Sequence, residues 1–208
     1  MRQRQTLKEQ IYKEIIDGIV SGEFKGEQIL NEQALVERYH VSKAPVREAL
    51  LILSSEGVLE NIPRYGYRVV SFTRETVNDI MEFRSALEDH VLIKAFLSMR
   101  PEDLETLRAV ISDDTRDDSN VWQHWDWNMD FHLKLAAMAD NEYIYRQLKT
   151  AMNFLKLAYA QFYWSQWNRT SIPNDLKNHI RIIEALEDRD LDLARLYLKQ
   201  DLKDFCME

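Results

Sequence analysis

The chain has 208 residues, 45% hydrophobic and 30% charged, and carries a net charge of −8 at pH 7, enough apolar content for one large domain or two smaller ones. It contains no run of about 18 uncharged apolar residues, which excludes a membrane span, and the start MRQRQTLKEQ lacks the apolar segment of a secretory signal. Cys206 is the only cysteine, which excludes an internal disulfide and a cysteine-based zinc site. A cytoplasmic protein is expected.

Charge and glycine are unevenly distributed along the chain. Residues 1–70 hold ten Lys and Arg and ten Asp and Glu, so the excess negative charge lies after residue 70. All five glycines lie within the first 66 residues, and a long tract without glycine is typical of a helix bundle. We therefore predict a neutral domain over 1–71, which permits DNA binding if its cations cluster, and an all-α antiparallel helix bundle over 72–208.

Three helices are predicted in the first domain. Apolar residues at helical spacing predict the first over Leu7–Val20. Asn31 is a good N-cap for the second, which runs to Tyr39. Ser42 is predicted to cap the third, which ends before Gly57.

A β-hairpin is predicted next. The strand candidates Val58–Asn61 and Tyr67–Val70 flank the turn residues Pro63–Gly66. Three helices followed by a hairpin is the order of a winged helix-turn-helix, in which the short link His40–Val41 is the turn.

The third helix begins with the segment VSKAPVREAL, residues 41–50. Pro45 lies in its first turn, where a missing N–H costs nothing. Lys43, Ala44 and Arg47 are expected to face outward at the helix end that enters the major groove. Small Ala44 permits close approach to base edges, Arg47 can bond guanine or phosphate, and Lys43 can bond phosphate. An ordinary capped helix of a small helical domain would show a similar pattern. The inward face is predicted to comprise Val46, Ala49, Leu50 and Leu53.

The segment 35–70, LVERYHVSKAPVREALLILSSEGVLENIPRYGYRVV, resembles the DNA-binding domain of the GntR family of bacterial transcription regulators. Lys43 and Ala44 stand where that family usually has Arg and Thr. Because Lys lacks the bidentate fork of Arg, reading of the operator is expected to be weaker or different there. The resemblance implies that the DNA contacts come from the following residues of the helix-turn-helix and the wing tip: Gln33, Ser42, Lys43, Ala44, Arg47, Arg64, Tyr65 and Gly66.

Three later segments, FRSALE (83–88), DFHLKLAAMADN (130–141) and HIRIIEAL (179–186), resemble the FCD ligand-binding domain of the FadR-type subgroup. The resemblance implies a homodimer that binds double-stranded operator DNA and represses transcription until a ligand relieves the repression. A divalent metal ion (Zn, Ni, Mn or Fe) and a small organic-acid effector are implied as well. The resemblance also implies that Arg84 faces the pocket and pairs with an effector carboxylate. The structural alternative for Arg84 is a salt bridge to Glu88 at i+4.

Many FCD domains hold their metal with an Asp, a His four residues later and two further His. Here Asn128 and His132 are one helical turn apart. A helical hairpin that turns at residue 190 would bring His179 and Asp201 to the same height. Asn128 replaces the usual Asp and Asp201 replaces the third His, which leaves two imidazoles and a carboxylate as strong ligands. Taken singly, each residue fits an ordinary structural role.

Three other functions fit parts of this pattern. A metal-free relative would bind a long acyl chain in an apolar cavity, and a metal-dependent hydrolytic enzyme would use two His and a carboxylate to activate water. A winged-helix module that does not bind DNA is the third. The motifs single out no paired general base, which argues against the enzyme.

His124 is expected at the mouth of the pocket. Most of the aromatic residues in the second half are expected to lie in the core, and a few are expected to line the cavity: Trp122, Trp125, Trp127, Tyr159, Phe162, Tyr163, Trp164 and Trp167.

Overall fold

The structure is a computed structural model, which describes residues 6–114, 121–163 and 175–203. Within these ranges the chain forms nine α-helices and three short β-strands, which confirms the mainly α fold with a β-hairpin wing. No helix in the described ranges is long and apolar enough to cross a lipid bilayer. The elements are α1 (Leu7–Val20), β1 (Ile29–Leu30), α2 (Glu32–Tyr39), α3 (Lys43–Ser55), β2 (Leu59–Ile62), β3 (Gly66–Val69), α4 (Arg74–Ser98), α5 (Pro101–Asp114), α6 (Val121–Ala137), α7 (Glu142–Tyr163), α8 (Asp175–Glu187) and α9 (Leu191–Lys203).

The helix-turn-helix forms where it was predicted. The Asn31 side chain accepts hydrogen bonds from the backbone N–H groups of Gln33 (2.8 Å) and Ala34 (3.2 Å), and so caps α2. His40 has a left-handed backbone (φ 52°) that ends α2 and redirects the chain into α3. Ser42 occupies the N-cap position of α3, but its side chain makes no capping hydrogen bond, so this part of the prediction is wrong. All four residues predicted to face inward are buried: Val46, Ala49, Leu50 and Leu53.

The two caps allow a matched stability test. We expect Asn31→Ala to lower the free energy of unfolding by about 1 kcal/mol, because two N–H groups of α2 lose their acceptor. Ser42→Ala removes a side chain that makes no cap bond, and should cost clearly less. Urea unfolding followed by circular dichroism would measure both changes. Equal losses in the two variants would contradict this account of capping.

The wing is a three-stranded antiparallel sheet in the order β1-β3-β2. The predicted strands appear as β2 and β3, shifted by about one residue, with Asn61 opposite Tyr67. Strand β1, in which Leu30 pairs with Tyr67, was not predicted because two residues are too short to show an alternating pattern. Gly66 has φ 131°, and an added Cβ would lie 2.5 Å from the Leu30 carbonyl oxygen. Glycine is therefore required where β3 begins beside β1.

By internal contacts, the described residues divide into two units: 6–73 with 156–163, and 74–114 with 121–155 and 175–203. The first division lies two residues beyond the boundary predicted after residue 71. The end of α7 was not expected in the first unit. There, the Gln161 side chain donates to the Val70 carbonyl (2.7 Å) and accepts from the Phe72 N–H (3.1 Å).

The second unit ends in the helical hairpin predicted from the sequence. Helices α8 and α9 are joined by the three residues 188–190, and Arg189 adopts a left-handed backbone (φ 57°) there. The Asp190 side chain accepts from the Leu193 N–H (2.9 Å) and so caps α9. Because the link is this short, α8 and α9 run antiparallel, and the start of α8 lies beside the end of α9.

Candidate functional site

Three buried side chains from α6, α8 and α9 converge on one point. The Nε2 atom of His132 lies 3.1 Å from Asp201 Oδ2 and 3.3 Å from His179 Nε2. The Nε2 atom of His179 lies 3.5 Å from Asp201 Oδ1. All three residues are at most 3% exposed. The hairpin thus places His179 and Asp201 level with one another, as the helix arithmetic predicted.

The donor set and its spacing fit a divalent transition metal. Two ligand atoms that each lie about 2.1 Å from an ion, at a tetrahedral angle, are roughly 3.4 Å apart. The separation of the two imidazole Nε2 atoms, 3.3 Å, and their distances to the nearer Asp201 oxygens, 3.1 Å to Oδ2 and 3.5 Å to Oδ1, are close to that value. Neither carboxylate oxygen of Asp201 makes a well-formed hydrogen bond within the described part of the chain. Because a buried carboxylate without such partners is costly, a cation between these groups would offset that cost.

Phe131 fixes the orientation of both imidazoles. Its ring stacks on His179, with centroids 3.9 Å apart and planes 13° apart. It also meets the His132 ring edge-on at 5.4 Å. Phe131 is fully buried, so the two rings have little room to turn.

Glu88 of α4 is the residue that sequence reasoning missed at this site. Its Oε2 atom lies 2.5 Å from Nδ1 of His132, the imidazole nitrogen that faces away from Asp201. Its Oε1 atom accepts a hydrogen bond from Nε of Arg84. The i, i+4 spacing of Arg84 and Glu88 was visible in the sequence, but the contact with His132 joins residues 44 positions apart.

Arg84 forms the ion pair that the sequence offered as its structural alternative, and effector binding by its other donors stays a prediction. It is fully buried, and its Nε atom forms the predicted ion pair with Glu88. Its two terminal nitrogens, Nη1 and Nη2, have no hydrogen-bond partner among the described residues. These two donors have the geometry that binds a carboxylate bidentately.

The charges of the cluster shift the pKa values of its members. Burial acts to raise the pKa of the Glu88 carboxyl, but the Arg84 guanidinium and His132 hold it below its ordinary value. Burial acts to lower the pKa of His132, but the Glu88 charge raises it above the ordinary value of 6.5. Burial likewise opposes ionisation of Asp201, yet His179 and His132 hold its pKa well below the usual range. Without a metal, the arrangement therefore favours a proton on His132.

The other residues predicted for the pocket are not part of the cluster of His132, His179 and Asp201. Asn128 is buried on α6, one turn before His132, and its role as a ligand stays a prediction. A groove of about 890 Å³ runs between α4 and α9, and none of the four predicted ligands lines it. Trp125 and Tyr159 are buried as core residues. Trp164 and Trp167, and the side chains of Trp122, His124 and Tyr163, lie outside the described residues.

The residues predicted to contact DNA from the two helices are all exposed: Gln33, Ser42, Lys43, Ala44 and Arg47. Arg47 makes no hydrogen bond or ion pair with any residue in the described ranges. The Nζ atom of Lys43 lies 3.2 Å from Oε1 of Glu32, and this ion pair links the first turns of α2 and α3. The Gln33 amide donates to Glu37 (3.1 Å). Arg47 is thus the cation of α3 that has no partner among the described residues, and all its donors are available to another molecule.

The wing tip presents the other three predicted contacts. Tyr65 is 68% exposed, and its N–H closes the turn onto the Ile62 carbonyl (3.0 Å). Arg64 is exposed and has a left-handed backbone (φ 74°), which lies in the turn between β2 and β3. Gly66 is only half-exposed, and its contact with Leu30 is a structural reason for glycine there that needs no DNA.

Two protein families match the sequence. Residues 7–69 match the bacterial regulatory proteins of the gntR family, and residues 79–204 match the FCD domain. The two matches follow one another along the chain in the order in which the winged helix-turn-helix and the helical unit occur.

Proteins of similar sequence are named as transcription regulators. The HTH-type transcriptional regulator YdhC of Bacillus subtilis is 24% identical over 95% of this chain and 88% of its own length. The gluconate operon transcriptional repressor of Bacillus subtilis is 28% identical over 89% of this chain and 78% of its own length. These names describe regulators rather than enzymes, which agrees with the absence of a paired general base from the sequence motifs.

Solved structures share the fold. McbR/YncC of E. coli superposes with a TM-score of 0.79 at 20% identity, covering 96% of this chain and 95% of the other. A GntR regulator from Rhodococcus sp. RHA1 superposes with a TM-score of 0.74 at 21% identity, covering 95% and 94%. With both sequence families matched in order and the fold shared along nearly its full length, the chain belongs to the GntR family of bacterial transcription regulators, with an N-terminal helix-turn-helix domain and a C-terminal FCD domain.

Proposed function

We propose that the protein is a homodimeric repressor whose affinity for operator DNA is controlled by a small organic acid bound in a metal-containing pocket of the FCD domain. The observation that carries this proposal is the buried cluster of His132, His179 and Asp201, linked through Glu88 to the unshared donors of Arg84. A relative named as the gluconate operon repressor supports both the sign of regulation and an acidic effector.

The chain's own residues would divide the work as follows. Two copies of α3 would enter successive major grooves of a near-palindromic operator, with Arg47 at the base edges or phosphates. Nη1 and Nη2 of Arg84 would hold the effector carboxylate. A bound metal would add a Lewis-acidic site for a second effector oxygen. The effector would then favour dimers that do not bind DNA, because it binds that population more tightly.

A mobility-shift titration with the protein's own promoter DNA tests the proposal. We expect salt-sensitive binding that weakens when members of a panel of small organic acids, gluconate included, are added. Arg84→Gln should bind DNA like the parent but respond at least about tenfold less to the acid, since one good carboxylate pairing amounts to a few kcal/mol. Arg146→Gln, an exposed arginine of α7, is the matched control.

Two results would contradict the proposal in different ways. No salt-sensitive binding to promoter DNA would favour an interaction module that does not bind DNA. A response to long acyl chains, unaffected by Arg84→Gln, would favour the metal-free relative with an apolar cavity.

Metal binding should depend on pH with a defined sign. The pKa of His132 is raised above 6.5 mainly by Glu88 acting against burial, so a proton competes with the metal at a higher pH than for an ordinary histidine. As pH falls through this raised value, apparent affinity should fall roughly tenfold per pH unit for each proton displaced. Calorimetric titration with Zn²⁺ in buffers of different pH would measure this. An affinity that stays constant through the titration range of histidine would rule out His132 as a ligand.

A further inference from the structure

We propose that Glu88 is a positioning residue of this centre: it holds His132 with the proton on Nδ1 and with Nε2 directed at Asp201 and His179. The inference deepens the proposed function and rests on it for the identity of the metal site. Glu88 was not among the residues that the sequence pattern assigned to the site, and no ligand role is needed for it.

Only one orientation of the His132 ring keeps both of its nitrogens in contact with carboxylates. Its Nδ1 atom lies 2.5 Å from Glu88 Oε2, while its Nε2 atom lies 3.1 Å from Asp201 Oδ2. A half-turn of the ring would place carbon atoms against both carboxylates and lose both polar contacts. In a neutral imidazole only one nitrogen carries the proton. Carboxylates face both nitrogens of His132, and the shorter contact, 2.5 Å to Glu88, places the proton on Nδ1 and leaves Nε2 to bind a metal.

Glu88 is itself held in place. One of its oxygens is used by Arg84 Nε and the other by His132 Nδ1, and the carboxylate is 1% exposed. A buried carboxylate that left these partners would pay a large desolvation penalty, so it cannot readily swing inward to become a ligand. Its negative charge on the Nδ1 proton makes Nε2 a stronger electron donor toward a cation.

The effect of Glu88 is measurable as metal affinity. We expect Glu88→Gln, which keeps the shape and removes the charge, to weaken Zn²⁺ binding about 10-fold or more, within the 10–100-fold range usual for such partners. Glu82→Gln removes an exposed carboxylate from the same helix and should leave affinity unchanged. Competition with a chelating dye would give the affinities. Affinity of Glu88→Gln within about twofold of the parent, well inside that expected range, would overturn the proposal.

A second variant addresses folding. Glu88→Gln leaves Arg84 buried without its ion pair, which can itself destabilise the fold. The double change Arg84→Met with Glu88→Leu replaces both buried charges by apolar groups and removes the acceptor for Nδ1. Thermal melts should show a folded protein, with Zn²⁺ affinity lower than in Glu88→Gln. A folded double variant with parental affinity would also overturn the role of Glu88.

A measurement without metal separates this inference from the proposed function. Long-range ¹H–¹⁵N NMR of the metal-free protein, at a pH where His132 is neutral, reports which nitrogen carries the proton. The proton should lie on Nδ1 in the parent and be divided between both nitrogens in the double variant. If the parent binds no Zn²⁺ but shows this pattern, the metal function fails while Glu88 keeps its positioning role. A parent with the proton on Nε2 would overturn the role itself.

Discussion

Replacement of His132 by alanine is expected to lower the affinity for Zn²⁺ by at least about 100-fold, the upper end of what losing a ligand's hydrogen-bonding partner costs. His132 lies at the centre of the cluster: its Nε2 atom is within 3.3 Å of both other strong donors. Without it, only the imidazole of His179 and the carboxylate of Asp201 remain as strong ligands, and Glu88 loses the ring that it orients. Effector response should be lost together with the metal.

His90→Ala is the matched control for this loss, since His90 is exposed on α4 and has no place in the cluster. Elemental analysis of purified protein and calorimetric titration with Zn²⁺ would compare both variants with the parent. Thermal melts would show whether each variant is folded. Unchanged metal content in folded His132→Ala would remove the proposed centre.

Loss of Arg47 should be the most damaging single change for DNA binding. Arg47→Ala is expected to weaken operator binding by about 1–3 kcal/mol for each protomer, because its donors are exposed on the first turns of α3 and are not used within the described part of the chain. Stability should stay unchanged, since the inward face of α3 is formed by other residues. Fluorescence anisotropy with promoter DNA at several salt concentrations would measure the loss.

The same titration separates a base contact from a phosphate contact. A phosphate contact would weaken binding to all sequences and lower the salt slope by about 1, whereas a base contact would relax specificity at one position. Lys13→Ala, an exposed cation on α1, serves as the control for general charge. Equal affinity of parent and Arg47→Ala at every salt concentration would mean that α3 is not the recognition helix.

Much of the first domain was predictable because its signals are local. The N-cap at Asn31, the apolar spacing of Leu7–Val20 and the inward face around Leu50 each depend on neighbours within a few turns. Local signals also explain the miss at Ser42, where the residue type favours a cap but the hydroxyl makes no bond. Strand β1 escaped because it is defined only by its partner β3.

The candidate centre was predictable in part for the same reason. The heights of His179 and Asp201 follow from counting residues along a helical hairpin, and the family resemblance indicated His132. Convergence of α6 on that hairpin could not be derived by counting, because it depends on how separate helices pack.

By itself, the sequence determined the order of the elements, the outward position of Arg47 and the equal heights of His179 and Asp201 on their hairpin, because helix periodicity and capping are short-range. Only the tertiary structure decided that Glu88 faces His132, that the terminal nitrogens of Arg84 are left without partners in the described chain, and that Gly66 must clear the Leu30 carbonyl. Those facts arise from close packing between segments far apart in the chain, where atomic shape and buried charge, rather than residue spacing, select the partner.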